Sequence, residues 1–313
     1  MQPLLTQPLH AAIRHVALTQ LAQAQAACAR LANDTDTEAL HAFRVAIRRL
    51  RSTLRAWKKP LHGAIKPKHR KRLRRLQRAT GGARDAEVAL AWVQKQADLD
   101  PAHAPGAAWF VEGLQRRLAR EQRQARRKLL RALEQIRTDM EERLDDRAAA
   151  QDATAGPEDK DFAAALANRV QKGGRAWLEA LTRLRGSRDE DRSHATRILG
   201  KRLRYLLDPA TNLPEVEALK KRLRSFQNVL GKVNDTRVLR AAVTRARRSH
   251  GKGKRTEREG LEELLRRLAA REQGLFERVD RRTAEERLAE ASTLLAAAVD
   301  ALKAASGSAS AGG

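Results

Sequence analysis

Apolar residues recur every three or four positions along nearly the whole chain, and strand-like alternation is absent. That period predicts helices over about 4–31, 36–59, 68–79, 84–97 and 107–147, and again over about 161–185, 189–207, 215–230, 234–249 and 256–304. The breaks fall at Asn33–Thr37, Pro60–Pro67, Gly81-Gly82 and Pro101–Gly106. Thr35 with Glu38, and Ser187 with Glu190, form capping-box patterns ahead of the second helix of each set. Residues 148–160 read as a linker and 305–313 as a flexible Gly/Ser/Ala tail. The expected organisation is a helical half at 4–147, the linker, a second helical half at 161–304 and the tail.

The second set of helices restarts the first, so the chain carries an internal repeat. His41-Ala-Phe-Arg44-Val-Ala-Ile-Arg48-Arg49-Leu-Arg51 matches His194-Ala-Thr-Arg197-Ile-Leu-Gly-Lys201-Arg202-Leu-Arg204. Farther on, Leu73-Arg74-Arg75-Leu76-Gln77, Gly81, Asp85 and Val88 match Leu223-Arg224-Ser225-Phe226-Gln227, Gly231, Asp235 and Val238. Two halves with one helix order suggest two related bundles facing each other about a pseudo-twofold axis.

At 100° per residue, with His41 at zero, Arg44, Arg48, Arg51, Arg55 and Lys59 fall within an arc of about 80°. Phe43, Ile47, Leu50, Leu54 and Trp57 fall on the opposite side. His194, Arg197, Lys201 and Arg204 repeat the cationic arc. Charged surface helices ordinarily mix signs and gain i,i+4 pairs. Here residues 39–84 hold sixteen Lys or Arg and no acid, and residues 194–234 hold nine against three acids. The two blocks carry twenty-two of the formal net charge of +26. The long helix at 107–147 mixes Arg and Glu, as a scaffold helix should.

Such a balance repels itself and asks for an anionic partner: nucleic acid, an acidic membrane surface or a polyphosphate. From Arg44 to Lys59 the row would run about 22 Å with a cation about every 5 Å. A polymer of closely spaced charges fits that row better than a small anion does, and binding it would release counterions. Planar guanidinium forks suit phosphate oxygens. Nucleic acid is the alternative partner. Aromatic residues make up only 3 % of the chain, against the stacking platforms of single-strand binders. No groove-entering motif is recognisable either.

His41 and His194 head the two rows. Each could donate to an anion, ligate a metal or accept a phosphoryl group. Neighbouring positions offer cations and no carboxylate or thiolate company, which argues against a metal. No P-loop or Gly-rich phosphate loop occurs, which argues against catalysis. Neither a cofactor nor an enzymatic activity is therefore expected. His10, His15, His62, His69, His103 and His250 lack repeat partners and read as surface or packing residues. Asp85 and Asp235 each follow a glycine and read as carboxylates at helix starts.

Hydrophobic residues make up 42 % of the chain, enough for a core packed mainly by Leu and Ala. The single cysteine, Cys28, reads as a small buried apolar residue. Met1–Leu9 lacks a charged segment followed by an apolar run, and no apolar run of about 18 residues occurs. A soluble cytoplasmic protein without membrane contact is expected.

At its two His-led motifs, each followed by a Gly…Asp element, the sequence resembles the CHAD family, the conserved histidine α-helical domain, over about residues 4–304. The resemblance implies two pseudo-symmetric antiparallel four-helix-type bundles enclosing a basic central pore or groove. It implies binding of inorganic polyphosphate, often at polyphosphate granules, rather than catalysis. Matched by motif, the pore residues would be His41, Arg44, Arg48, Arg49, Arg51 and Arg55, then His194, Arg197, Lys201, Arg202, Arg204 and Tyr205. Lys71, Arg74, Arg75, Arg78, Lys221 and Arg224 on the third helices would join them. Gly200 inside the second motif costs about 1 kcal/mol against Ala. Asp208 and the neutral Asn228 thin the second row, so the halves are expected to contribute unequally.

Overall fold

The computed structural model describes residues 4–310, apart from 32, 34, 35, 37, 97, 98, 153–160, 187, 252 and 253. For 125–128, 130, 131, 145–152 and 307–310 it describes the backbone alone. The described residues form ten α-helices and no strand. The first half holds α1 (Leu9–Arg30), α2 (Ala39–Ala56), α3 (Pro67–Ala79), α4 (Gly81–Val93) and α5 (Ala104–Asp152). The second holds α6 (Phe162–Leu184), α7 (Glu190–Leu206), α8 (Pro214–His250), α9 (Arg255–Arg282) and α10 (Glu285–Ser310).

Each half repeats the other's neighbours. In the first, α1 packs on α2, α2 on α3, and α5 on α1, α3 and α4. In the second, α6 packs on α7, α7 on α8, and α9 and α10 together take the place of α5. The α-helix pairs that meet between the halves are equivalent ones, α1 with α6, α2 with α7, α4 with α8 and α5 with α9, and the short turn Leu4–Thr6 adds contacts to α6 and α10. That is the pattern two like units make when they face one another.

One core runs through both halves. Phe43, Ile47, Leu50 and Leu54, the apolar face expected of α2, are all buried. Burial of each contributes about 1.5–3 kcal/mol relative to exposure. Leu21, Phe162, Leu166 and Leu219 belong to the same cluster. The core is mostly Leu and Ala, but its few aromatics are joints. Trp57 meets Phe162 across the halves, with ring centroids 5.5 Å apart, and Trp177 meets Phe226 edge-on at 5.3 Å. Cys28 is buried there as expected, and burial pushes its thiol up to about 11.

The structure corrects several of the expected boundaries. Residues 215–230 and 234–249 are one helix, α8, whereas the equivalent α3 and α4 are separate. In the first half the buried Thr80 hydroxyl donates to the Gln77 carbonyl at 3.0 Å, and Arg44 takes the Thr80 carbonyl. These bonds substitute for helix continuation, and two glycines follow. In the second half Leu230 is packed among Leu184, Val233 and Phe276, and a single Gly231 is tolerated. Conversely, 256–304 breaks at Thr283, whose hydroxyl donates to the Val279 carbonyl at 3.0 Å. Arg281 and Arg282 end α9, and Glu285 and Glu286 begin α10, each suiting the local helix dipole.

Helix α5 reaches Asp152, inside the stretch expected as a linker; the rest of that stretch lies outside the described residues. Helix α10 runs to Ser310, into the expected tail. Thr35 and Ser187, the expected capping residues, also lie outside the described residues. The described caps are aspartates: Asp36 accepts from the Glu38 and Ala39 amides at 3.1 and 3.0 Å, and Asp189 from those of Asp191 and Arg192 at 2.8 and 3.0 Å.

Two glycines fix where helices cross. A Cβ on Gly260 would fall 2.8 Å from Gly106 Cα and nearer still to the His103 carbonyl, so α9 passes α5 backbone to backbone. A Cβ on Gly200 would meet Trp177 Nε1 at 3.0 Å. The helix-propensity cost of Gly200 is offset by the close seating of α7 on α6.

Candidate anion site between the halves

The polar faces of α2 and α7 meet across a cavity of about 740 Å³. From α2 it is lined by His41, Arg44, Arg48, Arg49, Arg51 and Arg55. From α7 it is lined by Arg197, Lys201, Arg202, Arg204 and Tyr205. The α2 row ends at Arg55, because the helix ends at Ala56 and Lys59 lies in the turn beyond. From Arg44 to Arg55 it spans about 16 Å rather than 22 Å.

Neutral oxygens hold the deepest arginines. Arg44 donates to the Thr80 carbonyl and, at 2.9 Å, to the Thr80 hydroxyl. Arg51 donates to the Gln77 side-chain oxygen. Arg197 donates to Asn234 Oδ1 at 3.2 Å, and His194 Nδ1 donates to the same atom at 2.8 Å. Arg204 lies over the Tyr205 ring, 5.1 Å from its centroid. These bonds fix direction without cancelling charge.

The electrostatics record crowding. Burial, and then the charge of Arg48, pulls Arg44 below its ordinary range. Burial, and then Arg74, Arg55, Arg78 and Arg48, does the same to Arg51. A guanidinium stays charged regardless, so the fold bears the cost. Lys201 responds more: burial, reinforced by Arg197, Arg48 and Arg204, pulls its ammonium down to about 7, with Asp235 opposing.

Two carboxylates share the cavity, Asp85 on α4 and Asp235 on α8. Their expected place at helix starts is corrected. Asp235 lies mid-helix, because α8 does not break at Gly231, and Asp85 lies beyond the first turn of α4. Burial raises the Asp85 carboxyl against the pull of Arg44, and Asp235 raises it further. Arg49 is partly neutralised, its Nε lying 3.4 Å from Asp208 Oδ2. Asp208 also holds Lys220 at 2.9 Å.

Not all the expected residues converge. His194 stands behind Asn234 and does not line the cavity. Lys71, Arg74, Arg75 and Arg78 are exposed on α3 and also lie off the lining, although Arg74 and Arg78 are near enough to repel Arg51. Lys221 and Arg224 line a different depression. Sequence reasoning missed Thr80, Arg84 and Asn234, and gave no site role to Gln77, Gln227, Asp85 or Asp235. The repeat held the signal, since Gln77 matches Gln227 and Asp85 matches Asp235. Of the histidines without repeat partners, His69 is fully buried, its Nε2 2.9 Å from Asp139 Oδ2. Among the described residues no cluster of His, Cys, Asp and Glu could hold a metal ion, and no helix is long and apolar enough to cross a membrane.

No curated protein matches the chain by sequence. By structure it resembles the crystal structure of the CHAD domain from the plant Ricinus communis, with 22 % identity, 94 % of this chain and 93 % of that chain covered, and a TM-score of 0.71. It also resembles PptA from Streptomyces chartreusis, with 18 % identity, 88 % of this chain and 99 % of that chain covered, and a TM-score of 0.60. Residues 15–244, which include both His-led rows and most of α8, match the CHAD domain family, and the chain belongs to that family.

Proposed function

We propose that the chain binds inorganic polyphosphate in the cavity between α2 and α7, without catalysing its turnover, and that this binding brings it to polyphosphate granules. One observation carries the reading. Cationic rows from both halves line a single cavity, and neutral oxygens hold their inner arginines. A linear polymer of phosphates supplies acceptor oxygens along the whole length of the rows. Each charge-assisted hydrogen bond to it relieves repulsion that the free fold bears. A small anion would satisfy one end and leave the rest.

The test is competition. Labelled long-chain polyphosphate is bound at near-physiological salt, and DNA or RNA is added at equal phosphate. Resistance to displacement supports the reading, and efficient displacement makes nucleic acid the better partner. Arg48→Glu should weaken polyphosphate binding at least about tenfold, or about 1.4 kcal/mol. Arg255→Glu, on an exposed residue paired with Glu259 far along the sequence in α9, should leave it unchanged. Arg143 on α5 is a poor control, because it holds Asp139 at 2.7 Å beside Lys68 and His69. Equal losses from Arg48→Glu and Arg255→Glu would mean that net charge binds, not a site. Phosphate release from polyphosphate, measured with and without Mg²⁺, tests the absence of catalysis.

A further inference from the structure

A second basic depression, of about 910 Å³, lies where α8 faces the end of α9 and the start of α10. From α8 come Lys221, Arg222, Arg224 and Lys232; from α9 and α10 come Arg278, Arg281, Arg282 and Arg287. No acid lines it. Glu217 engages Arg224, and Glu290 engages Arg222 and Arg287, the latter at 3.2 Å. Among the described residues, no carboxylate lies within ion-pair distance of Lys221, Lys232, Arg278, Arg281 or Arg282.

Helix ends explain part of this. Arg281 and Arg282 sit in the last turn of α9, where the dipole favours cations. The dipole does not explain Lys221 and Lys232, which lie well inside α8 and face the same space. Nor does it explain Arg287 in the opening residues of α10, where it disfavours a cation. Arg222 is nearly buried beneath them. Burial, and then the charges of Arg287 and Arg282, pulls its guanidinium below the ordinary range.

The depression adjoins the central cavity, because Asn228 lines both. Lys221, Arg224, Asn228 and Lys232 follow one face of α8 over about 16 Å, while Gln227, Gly231 and Asp235 turn toward the cavity. Asn228, the residue the two share, is neutral and exposed.

We infer that this groove is a second binding site for linear phosphate polymer, continuing the track of the central cavity past Asn228 along α8 to the α9–α10 corner. The inference rests on the reading of the central cavity as a polyphosphate site. A chain long enough to fill both gains the second set of contacts at high effective concentration, whereas a short one fills the cavity alone.

The test measures affinity for polyphosphates of graded length, from tripolyphosphate to long chains, at fixed ionic strength. Wild type is compared with Arg278→Gln/Arg281→Gln and with Arg183→Gln/Arg255→Gln, which removes the same charge elsewhere. The groove variant should lose at least tenfold in affinity for long chains and keep its affinity for short ones, and the control should keep both. Loss at no length, equal loss at all lengths, or equal loss in the control overturns the groove while leaving the central site standing. Wild type that binds no polyphosphate of any length overturns the central reading and the groove with it.

Discussion

Lys201 offers the sharpest test of the cavity's electrostatics. An ordinary lysine titrates near 10.5, and this one is pulled down to about 7 by burial and by Arg197, Arg48 and Arg204. A polyanion lying along the rows sets negative charge beside Lys201 and drives its ammonium back up, against the burial that is the largest cause of the shift. Binding above pH 7 must therefore take up a proton. At pH 9 only about one free molecule in a hundred carries it, so affinity should fall from its value at pH 6 by up to about hundredfold, or about 2.7 kcal/mol, according to how far the bound polyanion raises Lys201. The measurement is a calorimetric titration from pH 6 to 9.5 at constant ionic strength, repeated in buffers of different ionisation enthalpy to count protons. Lys201→Arg keeps its charge throughout. It should bind with little pH dependence over the same range, and more tightly than wild type at pH 9. Parallel pH profiles for wild type and Lys201→Arg would refute the reasoning.

The same shift acts on stability with the opposite sign. The folded value lies below the unfolded one, so the charged form opposes folding. The penalty is complete below pH 7 and disappears as pH rises from 7 toward 10.5. The free protein should therefore gain stability across the window in which it loses affinity.

Two more changes probe neighbouring features. Asp235→Asn removes the carboxylate that favours the charged forms of Arg197, Lys201 and Arg271. It should lower the melting temperature of the free protein and tighten polyphosphate binding at pH 6 roughly fivefold, or about 1 kcal/mol, read by thermal melts and titration. Gly260→Ala drives a methyl into the backbone of α5 at Gly106 and should cost about 1–3 kcal/mol in a denaturant melt, although alanine is the better helix former.

Hydrophobic period and repeat made the helix order and the orientation of α2 legible, because one side chain in three or four must turn inward on any packed helix. The rows converged for the same reason: once Phe43, Ile47 and Leu50 face the core, Arg44, Arg48 and Arg51 have nowhere to go but the opposite side. Helix breaks were less legible. Gly231 looked like Gly81, but α3 ends where Thr80 bonds back to Gln77 and Arg44 takes the Thr80 carbonyl, and the long-range half of that arrangement is invisible to a local pattern. The break at Thr283 lacked Gly or Pro, and its signal was a change of charge from Arg281-Arg282 to Glu285-Glu286. Lys221 and Arg224 lie off the cavity for a geometric reason: continuous through Gly231, α8 carries Gln227 and Asp235 toward the cavity and Lys221 and Arg224 toward the adjoining groove.

The inner arginines of the cavity differ from many surface arginines in the kind of partner that holds them. On the mixed-charge faces a guanidinium meets carboxylates: Arg137 holds Glu134 and Glu141, and Arg240 holds Glu190 and Glu272. Such pairs gain little at a surface and leave little field. On the cavity wall Arg49 and Arg84 are paired in this way, with Asp208 and Glu87. Arg44, Arg51 and Arg197 are instead held by Thr80, Gln77 and Asn234, whose oxygens satisfy one N–H of the fork and leave the charge intact. A carboxylate in any of those three places would steady the side chain equally well and cancel the field a polyanion needs. Neutral tethers do both tasks at a cost in stability that the fold bears until an anion arrives, which makes the choice of Thr, Gln and Asn part of the site.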